Sequence, residues 1–244
     1  MAGIIELKNI SFTAQNRRIC RDLFYEFDTG KTTALVGPAG GGKSTMLKLA
    51  AGLAVPDSGE ILYKGKNVAL MTRKENLEFR REGAFVFQDS ALWANQNLYQ
   101  ILDLPLRIHF PAMGKKEREY RIEAVAAEVG YKKDMSVRPS RLSMGEQKLI
   151  AFARALLCRP SLLYLDEWTE SLDETAAQRL IRLVRRRRDE GVSIILVSHD
   201  MRIVRELADV VVMVLGGQIF LRLTREQMDE DEDLRRYVEM GMAS

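Results

Sequence analysis

The stretch Gly37-Pro38-Ala39-Gly40-Gly41-Gly42-Lys43-Ser44 constrains this chain more than any other part of it. It follows an apolar run, Thr32–Val36, that reads as a short buried strand, and it leads into Lys43–Leu53, which reads as a helix. A strand, a glycine-rich turn and a helix in that order form a backbone cradle. The glycines let N–H groups turn inward where a side chain would block the approach. The helix amino terminus adds positive partial charge, so phosphate oxygens fit there. Lys43 is placed to reach β- and γ-phosphates, and the Ser44 hydroxyl to ligate Mg²⁺. The segment, closing at Thr45, implies a nucleoside triphosphate and by itself nothing narrower.

The rest of the chain alternates strand and helix, the pattern of an α/β protein with a mostly parallel sheet covered by helices. Ile4–Phe12, Ile19–Phe27, Gly59–Tyr63 and Ala84–Phe87 read as strands. From about Asp89 to Ala155 the strand signals stop. Asn97–Leu104, Lys115–Val129 and Gly145–Leu157 look helical, with Pro105, Pro111 and Pro139 as punctuation. The sheet resumes at Leu162–Leu165, Ser193–Ser198 and Val210–Leu215, with helices expected at Glu174–Glu190 and Met201–Ala208. An acidic patch, Met228–Asp233, precedes a short last helix, Leu234–Met240.

Several function classes are disfavoured. With 244 residues, 46% hydrophobic and 29% charged, the composition is that of an ordinary soluble globular protein. No apolar run approaches the ~18 residues a membrane helix needs, and the amino terminus lacks the pattern of a signal peptide. Cys20 and Cys158 read as buried thiols rather than as a disulfide or metal ligands. A net charge of +3 is too small to imply nucleic acid. The run Arg185–Arg188 suits the negative carboxyl end of the Glu174–Glu190 helix and reads as a solvated face. These features point to the cytoplasm.

A second group of chemical residues sits at strand ends. Leu162-Leu163-Tyr164-Leu165 runs into Asp166 and Glu167. Asp166 can hold Mg²⁺ directly or through water, and Glu167 can polarise the attacking water as a general base. His199 closes the buried run Ile194–Ser198, well placed to sense a γ-phosphate. Gln88 ends Ala84–Phe87 in the same way, and its amide can contact Mg²⁺ or the water.

Shortly before the Asp166 strand comes Leu142-Ser143-Met144-Gly145-Glu146-Gln147-Lys148. It resembles the ABC signature, usually Leu-Ser-Gly-Gly-Gln. With the phosphate loop, Gln88, Asp166-Glu167, Ser171-Leu172-Asp173 and His199 in order, the resemblance to ABC ATPases covers essentially the whole chain. It implies a single cassette. Residues 1–88 and 156–224 would form the nucleotide-binding core with an amino-terminal antiparallel β subdomain. Residues 89–155 would be an inserted helical subdomain carrying the signature, and 225–244 a helical tail. It also implies a head-to-tail pair of copies, each ATP lying between one copy's phosphate loop and the other's signature. Ser143 and the Gly145 backbone, with Met144 and Glu146 beside them, would face the opposed γ-phosphate, and Asp173 would communicate between sites.

The chain departs from the family pattern at four places. Met144 replaces the first signature glycine and Glu146 the glutamine, Trp168 stands where a proline usually follows the catalytic Glu, and Ala14 stands where an adenine-stacking aromatic is usual. Phe12 reads as strand core.

One cassette per chain, without a long coiled coil, resembles a separate transporter ATPase partnered by integral-membrane permease subunits at the inner face of the membrane. Ser11-Phe12-Thr13, Asn16-Arg17, Phe87-Gln88-Asp89-Ser90-Ala91-Leu92-Trp93 and Asp233–Val238 look like the ATPase of Mla/MCE-type lipid transporters. That likeness implies a lipid or related hydrophobic cargo and an MCE-domain protein among the partners. An ATPase for small polar solutes and a non-hydrolysing regulatory module are the alternatives. Ser90–Asn97 would line the groove for a membrane subunit's coupling helix, with Trp93 as anchor or as core.

Overall fold

The structure, a computed structural model, describes residues 3–243. Met1 and Ala2, part of the amino terminus read for a leader, and Ser244 of the tail lie outside the described residues. Among the described residues no helix is long and apolar enough to cross a membrane.

Two sheets form the frame. The first is antiparallel, in the order β2-β1-β4-β5, from β1 (Gly3–Ala14), β2 (Arg17–Asp28), β4 (Ser58–Tyr63) and β5 (Lys66–Asn67). β1 and β2 are joined through Gln15 and Asn16, both at positive φ, the conformation a tight two-residue hairpin turn demands. Ile5, Leu7 and Ile10 of β1 are fully buried, and the register shifts between Leu7 and Ile10, where Asn9 has φ 51°. That bulge keeps the apolar side chains on the inner face.

The second sheet has the order β10-β9-β3-β8-β7-β6. It comprises β3 (Thr32–Val36), β6 (Gly83–Val86), β7 (Leu162–Asp166), β8 (Ser193–Val197), β9 (Val210–Leu215) and β10 (Gln218–Thr224). All neighbours in it pair in parallel except β10, which runs antiparallel to β9. Every residue of β3, β7 and β8 is buried, as expected of parallel strands covered on both faces. One face packs the core of Leu35, Leu47, Leu49, Tyr164, Ile195 and Val212, and the other meets Val36, Leu165, Leu196, Phe152 and Trp168. The α/β cassette with an antiparallel amino-terminal sheet and inserted helices is the architecture expected from the sequence.

Helix boundaries differ in instructive ways. α1 spans Lys43–Ala50 and stops short of Leu53, because the chain turns at Ala51 and at Gly52, which has φ 60°. α2 (Arg73–Glu82) is absent from the sequence reading: only Phe79 is buried, so it has no apolar stripe, although Thr72 and Glu75 form a capping box at its start. Between β6 and β7 lie α3 (Leu98–His109), α4 (Lys115–Val129) and α5 (Met144–Leu156). α3 continues through Pro105, expected to end it. Burial of Leu98, Ile101, Leu102 and Leu106 along one stripe outweighs the roughly 3 kcal/mol that an interior proline costs.

α6 (Glu174–Asp189) buries Leu180, Ile181, Leu183 and Val184. Its terminal arginines pair with acids, among them Arg187 with Glu128 at 2.9 Å and Arg186 with Glu190 at 3.0 Å. α7 (Met201–Leu207) follows β8. The tail forms two helices rather than an acidic patch and one helix: α8 (Arg225–Glu230), capped by Thr224 and Gln227, and α9 (Glu232–Ala243). Cys20 is buried and Cys158 half-buried; both are free, and burial pushes both thiols up to about 11.

Candidate active site

The topology sets four neighbouring parallel strands side by side, in the order β3-β8-β7-β6, and their carboxyl ends carry the residues singled out from the sequence. β3 runs into Gly37, β8 into Ser198 and His199, β7 into Asp166 and Glu167, and β6 towards Gln88. The carboxyl edge of such a sheet is where ligands gather.

After β3 the chain turns through Gly37, Gly40 and Gly42, at φ 132°, 73° and 101°. A Cβ on Gly37 would lie 2.4 Å from the Val214 carbonyl oxygen, so the close approach to β9 requires glycine there. No side chain caps α1 and its first turn holds no acid, so its amino-terminal N–H groups stay available to an anion. Lys43 is buried and donates from Nζ to the Gly37 and Pro38 carbonyls at 2.7 and 2.8 Å. Burial pulls its ammonium below the usual lysine range, against the charges of Glu167 and Asp166. Pro38 and Ser44 are half-buried and Ala39 is exposed at the loop tip; Thr45 follows within α1.

Ser44 Oγ donates to Asp166 Oδ1 at 2.7 Å. Burial raises the Asp166 carboxyl and this hydrogen bond opposes the rise. Beside it, Glu167 adopts φ 42° and its N–H reaches the Val197 carbonyl at 3.2 Å. Its side chain is buried, and Oε1 lies 3.0 Å from His199 Nε2 without hydrogen-bond geometry, so that oxygen has no hydrogen-bond partner. Burial first, then the charge of Glu170, pushes the Glu167 carboxyl up to about 7. His199 is pulled down by burial and by Lys43. Glu167, Glu170, Ser198, His199 and Glu239 of α9 line a cleft of about 480 Å³. A larger cleft, about 1010 Å³ and lined by Arg121, Glu128 and Arg187, lies between α4 and α6, away from these groups.

Gln88 is exposed and donates from Nε2 to Glu170 Oε2 at 2.9 Å, rather than joining the Ser44–Asp166 pair. Glu170 was not singled out from the sequence; its only signal is an acid three positions after Glu167.

The other group lies at the start of α5. Ser143 caps it, accepting from Glu146 N at 3.2 Å, while Glu146 Oε2 accepts from Ser143 N at 2.8 Å. Lys133 at 2.5 Å, together with that N–H, holds the Glu146 carboxyl below its usual range. Met144 is 63% exposed at the first helical position. Gly145 faces the same chain's Ser171, whose carbonyl a Cβ would meet at 3.0 Å. Asp173 caps α6, accepting from Ala176 N at 2.8 Å. Among the described residues no hydrogen bond or ion pair joins Ser143–Glu146 to the phosphate loop of the same chain.

Trp168 is fully buried, its ring 5.6 Å from Phe152 of α5 and its Nε1 without a partner. Trp93 is instead 44% exposed, with the Arg154 guanidinium 5.7 Å over its ring, so it is not core. Ala14, half-buried, ends β1 at the hairpin.

A glycine cradle on one strand, acids on a strand two places away and a helical insert before those acids define an ATP-hydrolysing cassette. The ABC transporter family model matches residues 20–170. A relative named intermembrane phospholipid transport system ATP-binding protein MlaF, from Haemophilus influenzae, is 31% identical over 96% of this chain and 88% of its own length. Methionine import ATP-binding protein MetN 1 of Rhodococcus jostii is 31% identical over 82% of this chain and 59% of its own. A solved dimeric cassette in a post-hydrolysis state, bound to ADP and Pi, superposes with a TM-score of 0.83 at 25% identity, covering 91% of this chain and 98% of the other. The chain belongs to the ABC transporter family and is an ATPase cassette of it.

Proposed function

We propose that this ATPase drives movement of a lipid or related hydrophobic substrate, working as a head-to-tail pair against membrane subunits on the inner face of a membrane. The observation that carries the cargo is the match to the Haemophilus influenzae phospholipid-system relative, which extends over 96% of this chain. The dimeric state of the solved cassette supports the pairing. A polar-solute cargo is the second reading, because the two identities are equal.

At the site, the residues fit a magnesium-bound triphosphate. Gly37–Gly42 offers backbone N–H groups, and Lys43 a buried ammonium. Ser44 and Asp166 offer hard oxygens of the kind Mg²⁺ takes beside phosphate and water, and the Gln88 amide would join them on leaving Glu170. Bound there, Mg²⁺ neutralises phosphate charge. Glu167, with one unpartnered buried oxygen, takes the proton of the attacking water, and His199 orients the γ-phosphate beside it. As that water bonds to phosphorus the β–γ bridging bond breaks and ADP leaves. Ser143 and Gly145 reach the triphosphate of the second copy at the positive end of α5, where the exposed Met144 side chain crowds the approach.

The test is purification of the intact complex with analysis of co-purifying proteins and lipids. An MCE-domain partner with enriched phospholipid is the expected outcome. A permease paired with a soluble amino-acid-binding protein, without lipid, would replace this reading with the second.

A further inference from the structure

Lys148 is 2% exposed, a lysine in the stripe of α5 that otherwise buries Ala151, Phe152 and Ala155. Its Nζ donates to the Phe87 carbonyl at 3.2 Å and also to the Gln88 carbonyl. From the same helix, Arg154 donates to the carbonyls of Ala91 at 2.6 Å and Ser90 at 3.1 Å. Two cations of α5 thus hold four carbonyls of one short segment. Within that segment Ser90 and Ala91 both have positive φ, at 64° and 44°, a conformation L side chains rarely adopt unless their surroundings impose it.

The charge on Lys148 is compensated rather than isolated. Glu170, Asp89, Asp166 and Glu167 are the acids whose fields act on it. An ammonium this buried is tolerable only while its protons keep acceptors and its charge keeps counter-charges. Moving α5 away from the Phe87–Gln88 backbone would strip it of both carbonyls at once. The helix and the segment are therefore constrained to move together, and Gln88 is held at both ends, its carbonyl by Lys148 and its amide by Glu170.

We propose that Lys148 is a positioning residue, through which the helix that begins at Ser143 sets the placement of Gln88. This rests on the reading that Gln88 serves its own chain's triphosphate and Ser143 the opposed one. Under that reading Lys148 links the two composite sites through a single side chain. A displacement of α5, on meeting the opposed triphosphate, carries the Gln88 backbone with it.

The experiment is a double-mutant cycle on steady-state ATP hydrolysis by the full chain, using Lys148→Met, Gln88→Ala and the pair. Lys148→Met is expected to lower kcat about tenfold with the KM for ATP within about twofold of the parent. Lys148→Arg, which keeps charge and donors, recovers most of the loss. In the Gln88→Ala background, Lys148→Met costs less than about twofold, because its route of action is already gone. If the Met variant fails to fold, as judged by its thermal transition, Lys148→Gln takes its place in the cycle. Equal fold-losses in both backgrounds overturn the link while leaving the Gln88 assignment standing. A Gln88→Ala variant with parental kcat overturns the assignment, and the link with it.

Discussion

Ser44 and Asp166 stand 122 positions apart in the chain, yet the Ser44 hydroxyl donates to the Asp166 carboxylate at 2.7 Å. The contact spans the sheet from the helix after β3 to the end of β7, with β8 between them. It ties the phosphate cradle to the acidic strand end before any ligand is considered. Ser44→Ala removes the tie and, on the proposed assignment, one oxygen that would hold Mg²⁺. Hydrolysis at fixed Mg²⁺ is expected to fall about 100-fold, and half-saturation to need more Mg²⁺. Rates measured across a Mg²⁺ series check this, and an unshifted series would remove Ser44 from the donor set.

Trp168 directly follows Glu167, and its fully buried ring packs against Phe152 of α5. Trp168→Ala is expected to destabilise the chain by about 3–5 kcal/mol in urea denaturation. Trp168→Phe should cost far less than that, because it keeps much of the ring contact and removes an N–H that has no acceptor. A Phe variant as unstable as the Ala variant would mean that Nε1 has a partner in solution.

The Glu167 carboxyl, lifted to about 7 chiefly by burial and then by Glu170, makes the metal-free protein's stability depend on pH. A glutamate raised in the folded state binds its proton there while the unfolded chain has already released it. Its contribution to stability is therefore full below the unfolded value near 4.5 and is lost as pH rises to about 7. Asp166 and Glu170 act in the same direction as burial, whereas a hydrogen bond from the His199 backbone and the charge of Lys43 oppose it. Glu167→Gln is expected to gain stability relative to the parent at pH 8 and to lose that advantage at pH 5. Denaturant midpoints at the two values, without nucleotide or metal, test the sign.

The fold was largely legible because its core strands are continuous apolar runs ending in polar groups. Thr32–Val36, Leu162–Leu165 and Ser193–Ser198 announce both the buried parallel sheet and its functional edge. α2 was not legible because it buries only Phe79 and has no apolar stripe. β10 was missed although Ile219, Leu221 and Leu223 alternate inward along it, because as an edge strand it fully buries only Leu223. Pro105 misled because a local cost was outweighed by tertiary burial. The site residues were legible as types at strand ends, but their pairing was not. Nothing in the order of residues says that Gln88 meets Glu170, or that Lys148 reaches back to Phe87 and Gln88. The one available signal for Lys148 was a lysine inside an apolar helical stripe.

The composite site is tested most directly by the oligomeric state and hydrolysis of Glu167→Gln with ATP and Mg²⁺. The expected result is hydrolysis reduced by a factor of at least ~100, the scale of a lost general base. ATP should convert the chain to a stable dimer by sedimentation, and ADP should leave it monomeric, since only differential affinity for the two states can drive such a shift. Turnover at the parental rate, or an oligomeric state that ignores ATP, would contradict the account.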